Sequence, residues 1–351
     1  MPAIPTIVFV GGFLGSGKTT LLVQAAALLR ASGMQAALIT NDQGGALVDT
    51  RLAQAGGSRT EEVTGGCFCC RMSELMAAAD RLRAFAPDVI LAEPVGSCID
   101  VSATVLQPIR QFFGDRYCLA PFTVLVDPLR AGALLSPEAD PYLSYLFFNQ
   151  IAEADLVCYN KADVAESFPD LPAGYAMRLS ARTGQGVREW LAEVLAGGTA
   201  GGKRLTEVDY AYYAEAEAAL GWLNWQADLE LAQALSPAQV VGPFLDDMEE
   251  QLTQADIAIA HLKILAKAAT GTIKASLCRN GDEPTVDGDL TASPDTRHEL
   301  LLNLRAMGSP DDLRAILRQA SRLLPGRIVE KHLESFRPSP PKPEYRIESI
   351  P

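Results

Sequence analysis

The chain has 351 residues, enough for two domains of ordinary size. Hydrophobic residues make up 48% and charged residues 21%, a globular balance, and no apolar run reaches the length of a membrane span. A net charge of −13 with no compensating basic run argues against a nucleic-acid partner.

The N-terminus lacks a basic region and a cleavage site, so no secretory signal is expected. Seven cysteines are odd in number, and three are crowded together. That pattern suits reduced thiols in a cytoplasm, not a disulfide framework.

In chain order, the β-branched run Thr6-Ile7-Val8-Phe9-Val10 predicts a buried strand. It runs into Gly12-Phe13-Leu14-Gly15-Ser16-Gly17-Lys18-Thr19, which fits G-x-x-x-x-G-K-[ST], and then into a helix over 18–30. Gly12, Gly15 and Gly17 let backbone N–H groups of the loop, Ser16 included, turn inward around a phosphate chain. Lys18 would reach the β- and γ-phosphates. The Thr19 hydroxyl would bind Mg2+, with Thr20 beside it in the first turn, where the helix dipole favours an anion. A second apolar strand is expected over 35–40. Strands alternating with helices predict an α/β, doubly wound, mostly parallel sheet.

Residues 41–66 are polar and Gly-rich, with little periodicity. A connection this long is functional or mobile, and here it lies where a nucleotide switch would. It ends in Gly65-Gly66-Cys67-Phe68-Cys69-Cys70. In extended backbone Cys67 and Cys69 share a face, and a turn would bring in Cys70. Three thiolates suit a soft or borderline ion such as Zn2+, with Asp42 or water as a fourth ligand. Small buried hydrophobes or a redox pair are the other readings.

An amphipathic helix follows over 72–85, then a strand over 88–92 that ends at Glu93-Pro94-Val95-Gly96. An acidic residue at the carboxyl end of a central strand lies where open α/β sheets bind ligands. Glu93 would hold a Mg2+ water, and Gly96 would let the backbone approach the γ-phosphate. Cys98 reads most simply as a buried thiol. Strands over 122–126, 155–159 and 176–179 come next, with helices over 138–152 and 184–196. The strand at 155–159 runs into Asn160-Lys161-Ala162-Asp163. The Asp163 carboxylate can accept from both N1–H and N2–H2 of guanine, a donor pair that adenine lacks. The Lys161 stem would lie along the base, and Asn160 would brace neighbouring loops. At Ser180-Ala181, backbone N–H groups would face guanine O6.

Together these motifs resemble the CobW-type GTPases, relatives of the nickel-insertion GTPases for urease and hydrogenase. The signature residues are 12–19, Cys67-Phe68-Cys69-Cys70, 93–96, 160–163 and Ser180-Ala181. The resemblance implies a P-loop GTPase that uses Mg2+ and carries a metal, zinc or cobalt, on its C-x-C-C cysteines; since no residue stands out as an arginine finger or a water-positioning glutamine, turnover is expected to be slow without a partner. It also implies delivery of that metal to a metalloenzyme client or a cobalamin-related pathway, and a possible homodimer. A metal store or sensor that scarcely hydrolyses GTP, and an assembly factor for a corrinoid enzyme with structural cysteines, remain alternatives. The family usually shows Asn-Glu-Phe-Gly-Glu after its second strand, where this chain reads Asn41-Asp42-Gln43-Gly44-Gly45. The only histidines are His261, His298 and His332, so the GTPase domain has none.

The expected domains are a GTPase domain over 1–197, a Gly-rich linker over 198–206, an α+β domain over 207–335 and a Pro-rich tail over 336–351. The periodicities of the third part read as βαβββα, an antiparallel sheet with helices on one face. Its other face would carry Asn224, Gln226, His261, Lys263, Lys267, Lys274 and Ser276, as a solvated surface or a docking surface for a client.

Overall fold

The computed structural model describes residues 4–44, 48, 57–172, 174, 176–197 and 201–349. Part of the expected switch (45–47, 49–56) and of the linker (198–200) lies outside them. The chain divides into two compact units. One comprises Met1–Gln43, Asp49–Ala216 and Pro340–Pro351, the other Gly44–Val48 and Glu217–Ser339.

Among the described residues the first unit holds eight strands: β1 Thr6–Gly12, β2 Ala36–Asn41, β3 Arg59–Val63, β4 Val89–Ala92, β5 Cys118–Leu119, β6 Thr123–Val126, β7 Leu156–Tyr159 and β8 Met177–Arg178. Their order is β3-β2-β4-β1-β6-β7-β8, with β5 also on β1. The pairings are parallel. Strands β1, β4 and β6 are apolar except for a threonine at the start of β1 and of β6, and buried almost throughout, because both faces are covered. The helices Lys18–Ala31 and Val187–Leu195 bury Leu21, Leu22, Trp190 and Leu191 against Val8, Val10 and Leu125.

Capping sets where helices begin. Asp127 and Asp140 each accept two backbone N–H groups and are each followed by proline at the first helical position. The expected strands and helices appear, with ends moved by one to three residues. Strand β3 is new. It sits inside the stretch read as an irregular connection, and its Arg-Thr-Glu-Glu-Val sequence carries one apolar residue. An edge strand needs little more, since charged side chains there meet water.

The second unit is antiparallel, with six strands among the described residues: β9 Gly221–Leu235, β10 Ile259–Ala268, β11 Gly271–Leu277, β12 Thr285–Gly288, β13 Asp295–Ala306 and β14 Gly326–Phe336. Their order is β12-β11-β10-β13-β9-β14. The predicted βαβββα is present, extended by β12 and β14, whose polar sequences give no clear alternation. Helices Pro237–Gln254 and Pro310–Ala320 pack Phe244, Leu245, Met248, Leu313 and Leu317 onto Leu223, Trp225, Leu262 and Leu302. Ser236 and Gln239 form a capping box at the start of the first of these.

The opposite sheet face matches the solvated surface expected only in part. Lys267 is exposed and Gln226, Lys263, Lys274 and Ser276 are half-buried, but Asn224 and His261 are buried. Asn303 donates to Asn224 Oδ1 at 3.0 Å, Arg305 donates to the same oxygen at 2.8 Å, and the Arg305 guanidinium stacks on Trp222 at 3.9 Å. Val48 N–H donates to Asn303 Oδ1 at 3.0 Å, and Gly44 packs on Asn224. A buried polar patch survives here because its amides satisfy one another and the chain laid over them. Lys274 is paired with Asp287 at 3.0 Å.

Candidate nucleotide and metal site

The sheet order brings the carboxyl ends of β1, β4, β6 and β7 side by side, and the sequence motifs sit on the loops that leave them. The loop after β1 turns through positive φ at Gly12, Gly15 and Gly17. At Gly17, φ is 91° and a Cβ would fall on the Asn160 amide, so only glycine fits. Lys18 Nζ donates to Gly12 O at 2.8 Å and to Phe13 O at 3.3 Å, folded over the loop. Thr19 Oγ1 donates to both oxygens of Glu93, at 3.0 and 2.9 Å. Thr20 is half-buried in the same helical turn. Among the described residues the buried Ser16 hydroxyl has no hydrogen-bond partner. An orphaned donor in a ring of inward backbone is what a phosphate oxygen would satisfy. The threonine–carboxylate pair likewise fits a Mg2+ ion and its waters.

Asn160 joins three loops. Its Nδ2 donates to Ser16 O at 2.7 Å, and its Oδ1 accepts from Ala181 N–H at 2.8 Å. Lys161 has φ 59°, and its Nζ meets Asp127 Oδ2 at 2.6 Å. Asp163 Oδ2 is paired with the exposed Arg182 at 2.9 Å. Partial burial opposes ionisation of Asp163, but hydrogen bonding from Ser180 and its own backbone, with Arg182 beside it, holds the carboxyl below its usual range. Ser180 is buried, and its Oγ accepts from Thr183 N–H at 3.1 Å, which fixes the turn that presents Ala181.

The cysteine turn belongs to the same unit and hangs from the end of β2. Asn41, at the end of β2, donates to Val63 O at 2.9 Å and Gly66 O at 2.8 Å, and accepts from Phe68 N–H at 2.9 Å. Phe68 is buried and stands edge-on to Phe9 of β1, with ring centroids 6.1 Å apart. With Phe68 as anchor, the backbone closes a helical turn: Cys70 and Arg71 N–H both donate to Cys67 O at 3.0 Å. The expectation of extended backbone is corrected here, because one turn of helical winding gathers residues i, i+2 and i+3 at once. The sulfurs lie 2.8 Å (Cys67–Cys69), 3.4 Å (Cys67–Cys70) and 3.6 Å (Cys69–Cys70) apart, all within 4.8 Å of one another. Asp42 is not in this group.

The thiols are unequal. Hydrogen bonds from Cys69, Cys70 and Cys98 hold Cys67 well below the ordinary thiol range, against the opposing effect of burial. Their hydrogen bonds to Cys67 raise the others: Cys69 is pushed well up, and Cys70 to about 11. Cys67 is the thiol that gives up its proton most readily, a starting point for a cation that displaces the rest.

Two features went unread in the sequence. The Cys98 thiol lies close enough to Cys67 to help hold it below the ordinary thiol range. The tail also returns to it. Lys342 N–H donates to Cys70 Sγ at 3.1 Å, Glu344 N–H donates to Cys69 O at 2.9 Å, and the Glu344 carboxylate caps Ser73. Arg346 pairs with the buried Asp100 at 2.8 Å, and Tyr345 packs on Phe112. The proline spacing signalled extended chain and gave no sign of where it would lie. All seven cysteines are free thiols. Among the described residues no helix is long and apolar enough to cross a membrane.

Residues 6–178 match the family described as the CobW/HypB/UreG nucleotide-binding domain. The zinc chaperone YeiR of Escherichia coli strain K12 is 31% identical over 160 residues, 43% of this chain and 45% of that protein. The zinc chaperone CobW of Pseudomonas aeruginosa is 31% identical over 195 residues, 45% of this chain and 48% of that protein. The chain thus spans under half the length of either relative. Among solved structures, nickel-bound HypB of Helicobacter pylori aligns with 53% of this chain and 84% of its own, at 18% identity and a TM-score of 0.40. Zn(II)-bound YjiA GTPase of E. coli aligns with 91% and 99%, at 14% identity and a TM-score of 0.31.

Proposed function

We propose, on the premise that residues 6–178 belong to the CobW/HypB/UreG family of nucleotide-binding domains, that this chain is a GTP-hydrolysing metallochaperone. The observation that carries the reading is the trio of sulfurs, mutually within 4.8 Å, in the same compact unit as the phosphate loop. Zinc is the favoured cargo, because three clustered thiols suit a borderline ion and the two curated relatives are named zinc chaperones. Cobalt is the second choice. The ion would pass to a metalloenzyme client or a cobalamin-related pathway.

Each site residue has a task. The backbone of Gly12, Gly15, Ser16 and Gly17 cradles the phosphates, and Lys18 leaves its two carbonyl partners for the β- and γ-oxygens. Thr19 and Glu93 would hold Mg2+, which when bound would offset the phosphate charge, while Thr20 and the Gly96 backbone would line the phosphate site. Asp163 reads guanine, and the exposed Arg182 gives way as the base arrives. Lys161 flanks the base, and Asn160 keeps Ser180 and Ala181 in register with the phosphate loop. Water attack on the γ-phosphate is slow until a partner completes the site.

Phosphate release from GTP and ATP, with zinc affinity measured beside GDP and a non-hydrolysable GTP analogue, tests this reading. GTP-selective release, lost in Lys18→Ala, and one zinc per chain whose affinity depends on the nucleotide are expected. Preference for ATP, or no zinc uptake by the reduced protein, would overturn it.

A further inference from the structure

Three thiols cluster at this edge of the sheet, and a fourth lies beside them. Cys98 is 4% exposed and close enough to Cys67 to help hold that thiol below its ordinary range. It ends the loop that leaves β4, and the strand order fixes what that loop can touch. β4 lies between β1, which leads into the phosphate loop, and β2, whose Asn41 holds the cysteine turn. The β4 loop is therefore interposed between the two sites.

It touches both. Glu93 accepts from Thr19 at 2.9 and 3.0 Å. Gly96 packs so closely on the phosphate loop that a Cβ would stand 3.0 Å from Lys18 Nζ and 2.9 Å from Leu14 Cδ2. Two residues later the chain delivers Cys98, with the turn closed by its N–H on Val95 O at 3.0 Å. The buried Gln150 donates to Gly96 O at 2.9 Å and to Cys98 O at 3.0 Å. One amide group thus yokes the residue against the phosphate loop to the residue against the thiols.

We propose that Cys98 is the fourth sulfur ligand of the metal, closing a tetrahedral four-thiolate site with Cys67, Cys69 and Cys70, and that the turn 96–98 moves this ligand with the state of the phosphate site. The proposal rests on the reading of the cysteine trio as a metal site. Tetrahedral zinc with bonds of about 2.3 Å needs sulfurs about 3.8 Å apart. Cys70 nearly meets that spacing at 3.4 and 3.6 Å, and Cys67 and Cys69, at 2.8 Å, must part. Cys98 lies beside Cys67 and stands outside the mutual group of three, so a shift of its turn decides whether the set numbers three or four. Each ligating thiol gives its proton to solvent. Four sulfurs make a closed site that retains its ion, whereas three leave a position for an acceptor's ligand. A phosphate group that displaces Gly96 thereby changes hold to release.

The test is anaerobic Co2+ and Zn2+ titration of the full chain, the Cys98→Ser and Cys98→Ala variants, and Gln150→Met, each checked for folding by thermal melt. In wild type, cobalt should give an intense tetrahedral spectrum with four-sulfur charge transfer. The Cys98 variants should lose about a quarter of the charge-transfer absorption per bound ion. Their zinc affinity should fall by about tenfold or more, and the ratio of affinities with GTP analogue and GDP should collapse to unity. Gln150→Met should keep the four-sulfur spectrum and lose most of the nucleotide dependence. A wild-type spectrum left unchanged in Cys98→Ser would overturn this proposal alone. No thiolate band in wild type would remove the metal reading beneath it.

Discussion

Replacing Asn160 by alanine tests whether the guanine-side loops and the phosphate loop form one unit. The side chain is 2% exposed and makes two bonds to backbone, to Ser16 O at 2.7 Å and from Ala181 N–H at 2.8 Å. Alanine removes both and leaves the two backbone groups unpaired, at about 1–3 kcal/mol each. Taking about 3 kcal/mol in all, and about 2–4 °C per kcal/mol for a unit of some 200 residues, the melting temperature of the first unit should fall by about 6–12 °C. Asn160 touches the loops and not the γ-phosphate position, so GTP and GDP should weaken alike, by about tenfold or 1.4 kcal/mol. Asn160→Asp should be worse. It keeps an acceptor for Ala181 but sets a carboxylate against the Ser16 carbonyl. Calorimetry and binding of fluorescent guanine nucleotides read both effects. A melting temperature within 2 °C of wild type would refute the packing argument at about that resolution. A large drop with unchanged nucleotide affinity would show that the tie stabilises the fold without aligning the pocket.

Three further outcomes follow from the same geometry. Arg182→Ala frees Asp163 from an exposed ion pair worth about 0.2–1 kcal/mol, so GTP should bind up to about fivefold tighter, measured by equilibrium titration. Arg346→Met removes the cation beside the buried Asp100 and loosens the tail over Cys70. Alkylation of that thiol, followed by mass spectrometry, should quicken by about tenfold. Glu153 is fully buried, and burial pushes its carboxyl well above the usual range despite the hydrogen bond from Ser102 N–H. Its folded-state value exceeds the unfolded one, so its stability contribution is complete below the unfolded value and is lost as pH rises through the folded one. Glu153→Gln, which keeps an acceptor for Ser102, should therefore gain on wild type in thermal melts as pH rises. A constant gap between the two would contradict the burial argument.

The phosphate loop, Glu93, the guanine-side motif and the sulfur trio were legible because each is local. A glycine pattern, a strand-end carboxylate or three thiols in four residues carries its chemistry within a few positions. What stayed hidden is set by strand order. Cys67 and Cys98 are 31 positions apart in sequence, separated by a helix and β4, and nothing in either neighbourhood names the other. They meet because the chain passes from β2 to the edge strand β3 and then returns to place β4 between β2 and β1. The same path makes Asn41, which reads as an ordinary polar residue at a strand end, the support of the cysteine turn. The tail was hidden for a different reason. Its hold on Asp100 depends on one side chain, Arg346, and its hold on Cys70 on one backbone N–H, that of Lys342, in a stretch without periodicity. The interposed strand has a physical consequence. In a parallel sheet, adjacent strands deliver their loops to a common edge about 5 Å apart, so two sites on strands flanking a third share its loop. A substitution on that loop which alters only one of the two sites would show that adjacency alone does not couple them. Ser97 is the position to try, because it is fully buried between Gly96 and Cys98 and lies outside the sulfur set. Ser97→Ala should shift zinc affinity and GTP affinity together if the loop moves as one piece.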